Sequence, residues 1–131
     1  MGRELVVKCY GLSDLLPEVE RFGLVSQIRR AALSIPANIA EGTGRKTDGS
    51  FVSFLRIALG SAFELDTLLT LCHDLGLLLP SDVEPVQADI KRLSIKIQNL
   101  IKSLNVQRIR EEAADYPTTT ERPLSDHLAT T

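Results

Sequence analysis

The residues that could support metal chemistry in this chain are few and widely spaced. Its two histidines, His73 and His127, do not follow a glutamate at the Glu-x-x-His spacing from which helical bundles build di-iron sites. Asp66 lies seven positions before His73 and shares roughly its helix face, but two ligands do not make a metal site. The sequence therefore predicts no metal site and no cofactor.

Nucleophilic chemistry is equally poorly provided for. Cys9 and Cys72 occupy apolar helix positions outside any CxxC motif, which favours reduced cytoplasmic thiols over a disulfide framework. The segment GTGRK at 42–46 lacks the spacing and the Ser or Thr of a phosphate-binding P-loop. We expect a protein without catalytic residues, and therefore not an enzyme.

Helices are the elements that must position any functional side chain. Apolar residues recur at alternating spacings of four and three, and 131 residues with 5% aromatics favour one all-α domain. The predicted helices cover about residues 2–15, 24–42, 48–75 and 81 or 82–104, with 110 as an alternative end of the last. Short connections predict an antiparallel up-and-down four-helix bundle over residues 1–110, with a short first helix.

The predicted core follows directly from this spacing. In the first helix it comprises Leu5, Cys9, Leu12 and Leu16, and in the second Leu24, Ile28, Ala31, Ile35 and Ile39. In the third helix it comprises Phe51, Leu55, Ala58, Ala62, Leu65, Leu69 and Cys72. In the fourth helix it comprises Val83, Val86, Ile90, Leu93, Ile97, Leu100 and Leu104.

Start and stop signals complete the outline. Gly42 and Gly44 predict the end of the second helix, and Gly76 that of the third. Asp48 is predicted to cap the third helix, while Ser81 and Glu84 resemble a capping box for the fourth.

Pro36 lies in the middle of the predicted second helix and cannot donate to the carbonyl of Ala32, so we expect a kink there. The kink is either a structural bend among small residues or a groove that presents Asn38 and Glu41 to a partner.

A second apolar side lies on the third helix beside the Phe51 side, and its residues are Phe54, Ile57, Leu68, Leu71 and Leu75. Such a helix lies at the centre of its bundle or also packs against another subunit, and we infer self-association. Glu64 falls on this side and needs a partner, for which Arg29 is predicted. Arg29, Asn38, Glu41 and Glu64 form a candidate structural network; a general acid or base role for Glu64 is the alternative.

Charge is distributed unevenly along the chain. Residues 111–131 hold five acids and one base, which predicts a flexible acidic tail, while 14 bases and 12 acids leave the body mildly basic. No apolar run reaches the roughly 18 residues of a membrane span and no signal peptide is evident, so we expect a soluble cytoplasmic protein.

Binding through basic residues is the remaining function. The candidate nucleic-acid-binding residues are Arg29, Arg30, Arg45, Lys46 and Arg56. For Arg30 the alternative is an ion pair with Glu41 or with an acid of another subunit. The bases of the fourth helix are read as solubilising, with a phosphate-contacting surface as the alternative. They are Lys91, Arg92, Lys96, Lys102, Arg108 and Arg110.

Two segments also carry a family resemblance, SQIRRAALSIPANIAEG at 26–42 and IALGSAFELDTLL at 57–69. Over roughly residues 5–105 the chain resembles the four-helix-bundle proteins encoded in intervening sequences of bacterial 23S ribosomal RNA genes. These are related to the accessory variability determinant proteins that accompany the reverse transcriptases of diversity-generating retroelements. The resemblance implies a pentameric ring, a basic surface that binds RNA or DNA, and a nucleic-acid-processing protein as partner.

Two departures from the family stand out, a first helix about three turns shorter and an acidic balance of charge. Two functional hypotheses follow. The chain is either an oligomeric adaptor that associates with RNA or a ribonucleoprotein through its basic residues, or a structural or protein-interaction module in which Arg29, Arg30 and Glu64 are internal ties.

Overall fold

The protein is described by a computed structural model over residues 1–115, which form four α-helices and one 3-10 turn. The helices are α1 (Gly2–Asp14), α2 (Leu24–Thr43), α3 (Asp48–Asp74) and α4 (Pro80–Asp115), and the 3-10 turn covers Glu18–Glu20. No strand occurs in this part of the chain, and the predicted all-α class is confirmed. α4 continues five residues past the predicted boundary at 110. The rest of the predicted tail, 116–131, lies outside the described residues.

The helices run alternately up and down, as predicted. The contacts that fix this order join Asp14 to Arg29, Gly42 to Phe51, Thr70 to Gln87, and Lys8 to Asp89. Each pair places the end of one helix near the start of the next, and the last brings α1 against α4. The α1–α2 and α3–α4 connections therefore lie at one end of the bundle, and the α2–α3 turn lies at the other.

Apolar side chains from all four helices form one core. The positions predicted for α1 and α3 are buried, with Phe51 half-buried. In α4 the prediction holds as far as Ile97 and is wrong at the next position, where Leu100 is 38% exposed and Ile101 is buried. Since 18 residues at 3.6 per turn make five full turns, Ile101 rather than Leu100 returns to the face of Val83.

The first helix is short, as predicted, with 13 residues against 20 in α2, 27 in α3 and 36 in α4. It begins where α2 carries its proline: a Cβ atom at Gly2 would lie 3.3 Å from Pro36 Cβ. α2 is helical on both sides of Pro36. Beyond this level α4 has no α1 beside it, and Leu104 is only half-buried.

The cap of α3 differs from the prediction. Thr47 is the N-cap, since its hydroxyl accepts a hydrogen bond from the backbone N–H of Ser50 at 3.2 Å. Asp48 is already the first helical residue, where its negative charge still favours the N-terminus of α3. Asp48 as the cap was therefore a wrong prediction by one position.

The start of α4 also differs. The helix begins at Pro80, whose missing N–H costs nothing in a first turn, and Asp82 accepts a hydrogen bond from Leu79 N at 2.9 Å. This is the half of a capping box in which a side chain reaches back, so the predicted box of Ser81 and Glu84 was wrong. α3 ends before Gly76, whose φ of 73° is the left-handed conformation that favours glycine.

α2 passes through Gly42 and ends at Thr43, one residue beyond the predicted stop. Gly42 serves close packing instead. A Cβ atom there would lie 2.8 Å from Phe51 Cδ1 and 2.9 Å from Phe54 Cβ. The lack of a side chain lets the last turn of α2 rest directly against the first turns of α3.

In the described part of the chain, no helix combines the length and apolar character needed to cross a membrane.

Candidate nucleic-acid interface

Arg45 lies in the turn between α2 and α3 and is held there by two contacts. Its guanidinium donates to Glu41 Oε1 at 2.7 Å, and its Cζ lies 4.6 Å from the centre of the Phe54 ring. The ion pair spans one turn of α2, and the ring lies on α3, so Arg45 links the two helices across the turn that separates them. Arg45 remains exposed to solvent.

Lys46 and Arg108 extend this positive surface. Lys46 is exposed directly after Arg45. Arg108, on α4, brings its Nη1 atom to within 3.3 Å of the position that a Cβ atom would take at Gly49. A cation from α4 therefore lies over the first turn of α3. The sequence pattern favoured a solubilising role for Arg108, because its place at the turn depends on the register between α3 and α4.

Together these residues form a surface that we call the basic end. It comprises residues 41–49 and the stretch 102–110 of α4, which runs beside the first turns of α3. These segments hold five bases and two acids, a net charge of +3. The bases are Arg45, Lys46, Lys102, Arg108 and Arg110. Glu111 and Glu112 follow on the last turns of α4.

Arg56 is exposed but is not brought to Arg45. It follows Phe54 by two positions, which is 200° around a helix at 100° per residue, so the two side chains leave different sides of α3. It shares instead the face of Phe63, which lies beside Lys91 and Ile95 of α4 in a shallow depression. Arg56 therefore belongs to the α3–α4 side of the bundle.

Arg29 does not contact Glu64, and the predicted pair is wrong. Its Nε donates to Ser13 Oγ at 2.9 Å and its Nη2 to Asp14 Oδ1 at 2.7 Å, while its Cζ lies 4.6 Å from the centre of the Tyr10 ring. All three partners belong to α1. Arg29 is thus a tie between α1 and α2, and its donors are directed away from any phosphate surface.

Arg30 takes the place that was predicted for Arg29. Its Nη2 lies 3.4 Å from Glu64 Oε1 and 3.0 Å from Gln27 Oε1. Adjacent residues on a helix differ by 100°, which turns Arg29 toward α1 and Arg30 toward α3. The pair of Arg30 with Glu41 within the chain was also a wrong prediction, since the two residues lie three turns apart, about 16 Å, and Glu41 is bound to Arg45.

Asn38 lies in a small polar cluster between these ion pairs. Its amide donates to the carbonyl and the hydroxyl of Ser34 at 2.8 and 2.9 Å, and Ser34 Oγ lies 2.7 Å from Ser61 Oγ on α3. The predicted network of Arg29, Asn38, Glu41 and Glu64 is therefore four separate contacts. Three of them line the outside of the α2–α3 seam, and the fourth ties α1 to α2.

The described residues contain no group of three His, Cys, Asp or Glu side chains placed to hold a metal ion. Both cysteines are buried and free, as predicted. Burial raises the pKa of the Cys9 thiol to about 12. It also raises the pKa of Cys72, to which the negative charge of Glu20 adds. Both thiols therefore stay protonated and unreactive at neutral pH.

Comparisons with known proteins agree with this architecture. Residues 1–99 match the model of the family described as "23S rRNA-intervening sequence protein". The chain is also similar to a crystal structure of a protein of unknown function from the S23 ribosomal protein family of Bacteroides thetaiotaomicron. The two share 27% sequence identity with a TM-score of 0.72, over 77% of this chain and 94% of the other. No curated protein matches the chain. This chain belongs to the family of 23S rRNA-intervening sequence proteins.

Proposed function

We propose that this protein is a non-enzymatic, oligomeric adaptor that associates with RNA or a ribonucleoprotein through its basic end. The observation that carries the proposal is the meeting of Arg45 and Lys46 with Arg108, which comes from the far end of the chain to the same turn. Bases on separate helices that converge at one place bring several cations within reach of adjacent phosphates. Among the five predicted residues, Arg45 and Lys46 belong to this surface.

Self-association would multiply this surface. The second apolar side of α3 remains largely uncovered, with Ile57, Leu71 and Leu75 exposed and Phe54 and Leu68 half-buried. Exposed apolar side chains along one helix face are typical of subunit interfaces. Glu64 on this side already has Arg30 as a partner, so a second subunit could cover the face without desolvating an unpaired carboxylate.

The test is the binding of a fluorescein-labelled structured RNA, measured by anisotropy between about 50 and 200 mM salt. We expect affinity to fall with salt, and Lys46→Glu together with Arg108→Glu to weaken binding. The same double variant should flatten the salt slope by about 0.7–0.9 for each phosphate that the protein no longer neutralises. Arg21→Glu is the matched control, since it makes the same charge change at the opposite end of the bundle. Equal weakening by the control and by the basic-end variant would contradict a localised surface.

The oligomer is tested separately by light scattering. We expect Leu71→Glu to lower the molar mass, because an ionised carboxylate at a subunit interface is costly to desolvate. Val7→Glu changes a residue that is 72% exposed on α1 and should leave the mass unchanged. A wild-type mass equal to that of one chain would rule out the oligomeric part of the proposal.

A structural or protein-interaction module is the second candidate, and the ion pairs favour it. Arg29, Arg30 and Arg45 each already bind a carboxylate of the same chain. Under this alternative, RNA produces no anisotropy change at any salt concentration, and Glu64→Ala lowers the stability of the protein or of its assembly. The same two measurements therefore separate the candidates.

A further inference from the structure

The end of the bundle opposite the basic end exposes large apolar side chains. We call it the loop end; it comprises residues 15–23, which connect α1 to α2, and residues 73–84, which include the α3–α4 connection. Five side chains there are between 60% and 89% exposed, namely Leu15, Val19, Phe22, Leu75 and Leu79. Leu16 and Leu78, in the same two connections, are buried and already close the core. The five exposed residues are thus not needed to seal the bundle.

The two connections lie next to each other. The up-and-down order brings both to the same end, and the charge of Glu20 in the first connection acts on Cys72 in the last turn of α3. The exposed apolar residues of the two connections therefore belong to one end surface. A cluster of this kind is a typical site for a protein partner, whereas singly scattered apolar residues are not.

The same surface is acidic. Residues 15–23 and 73–84 hold five acids and one base, a net charge of −4. The acids are Glu18, Glu20, Asp74, Asp82 and Glu84. The single base, Arg21, lies 3.4 Å from Glu18 and 5.5 Å from the centre of the Phe22 ring. Negative charge around an apolar patch repels nucleic acid and anionic membranes, and it equally repels the loop end of a second copy.

We propose that the loop end binds a basic, amphipathic segment of a partner protein. The apolar residues of that segment would cover Leu15, Phe22 and Leu79, and its lysines or arginines would approach Glu18, Asp74 and Glu84. The apolar contacts provide affinity, while the acidic rim selects the sign of the partner's charge. This surface is distinct from the basic end and does not depend on RNA binding there.

The full chain is tested with a fluorescein-labelled amphipathic peptide of leucine and lysine. A peptide with glutamate in place of every lysine is the control for charge. We expect the lysine peptide to bind and the glutamate peptide not to bind. Phe22→Ser with Leu79→Ser should weaken the lysine peptide at least tenfold, and Asp74→Lys with Glu84→Lys should do the same. Val7→Ser, which changes an exposed apolar residue on α1, should have no effect.

Three results would overturn the proposal: binding of the glutamate peptide as tight as that of the lysine peptide, loop-end variants that bind like the wild type, or a lower molar mass of the Phe22→Ser, Leu79→Ser variant in light scattering. The last would show that a second copy of the chain covers this surface. Circular dichroism establishes that the variants remain folded, as expected at exposed positions. RNA affinity of the same variants should be unchanged, so failure here and failure of the basic end are separable.

Discussion

Two adjacent arginines make the sharpest test of how this bundle is held together. Arg29→Ala removes the tie between α1 and α2, whereas Arg30→Ala removes a peripheral contact between α2 and α3. The side chains of Arg29 and Asp14 are 34% and 72% exposed, and those of Arg30 and Glu64 are 70% and 46% exposed. The same chemical change at neighbouring positions should therefore have very different effects.

The magnitude follows from the contacts. A net hydrogen bond such as that of Arg29 to Ser13, which is buried, contributes about 1 kcal/mol, and a pair with a largely exposed carboxylate about 0.5 kcal/mol. The stacking on Tyr10 adds about 0.5–1 kcal/mol. The total for Arg29→Ala is a loss of about 2 kcal/mol. Arg30→Ala should cost less than about 0.5 kcal/mol, because its ion pair is long and exposed.

The assay is urea unfolding followed by circular dichroism, at one protomer concentration because self-association would shift the apparent stability. Arg29→Lys keeps the charge but cannot donate to Ser13 and Asp14 from one planar group, so we expect a value between those of wild type and Arg29→Ala. Ser13 retains its hydrogen bond to the carbonyl of Tyr10 in all variants, so none of them leaves its hydroxyl unpaired. Equal destabilisation by Arg29→Ala and Arg30→Ala would refute the assignment of Arg29 as the tie.

Three further predictions concern packing and titration. Gly42→Ala should destabilise the protein by about 1–2 kcal/mol, since overpacking against Phe51 outweighs the gain in helix propensity, whereas Gly60→Ala, with open space around it, should stabilise it by about 0.5–1 kcal/mol; thermal unfolding of both compares them. Because the pKa of Cys9 is raised from 9.0 to about 12, the unfolded state loses this proton first as pH rises, so stability should fall by about 1.4 kcal/mol per pH unit above about pH 9; Cys9→Ala should show a shallower slope in urea unfolding. The hydrogen bond from Lys8 lowers the pKa of Asp89, with smaller contributions from the charges of Lys8 and Arg92, so its stabilisation is present at neutral pH and lost as pH falls through the lowered pKa; Lys8→Met should reduce the acid sensitivity of unfolding.

The sequence was sufficient for the helices and most of the core, because apolar periodicity depends only on positions along one helix. The seam of α3 from Leu55 to Cys72 follows the alternating spacing throughout. The same spacing fails at Leu100 in α4, where the difference between 3.5 and 3.6 residues per turn has accumulated to a full position. A periodic pattern is therefore reliable over a few turns and drifts over a helix of 36 residues.

Contacts between helices could not be predicted in the same way. Whether Arg29 or Arg30 meets Glu64 depends on a rotation of 100° about α2, and the location of Arg108 depends on how far α4 is shifted along α3. Gly2 and Gly42 gave no signal of close approach, since glycine in a sequence equally suggests a turn or a helix end. Only the tertiary structure shows that Pro36 and Phe51 lie against them.

The formal net charge of −2 would weaken the case for nucleic-acid binding if it were spread evenly, but the charges are separated in space. α3 alone, with 27 residues, spans about 40 Å at 1.5 Å per residue. At physiological salt the Debye length is about 8 Å, so the acidic loop end is too far away to cancel the potential of the basic end. Each end therefore acts on its surroundings according to its own charge. In a ring whose subunits point the same way, the basic ends would all lie on one face and the acidic loop ends on the other, which gives a single protein two surfaces that attract partners of opposite charge.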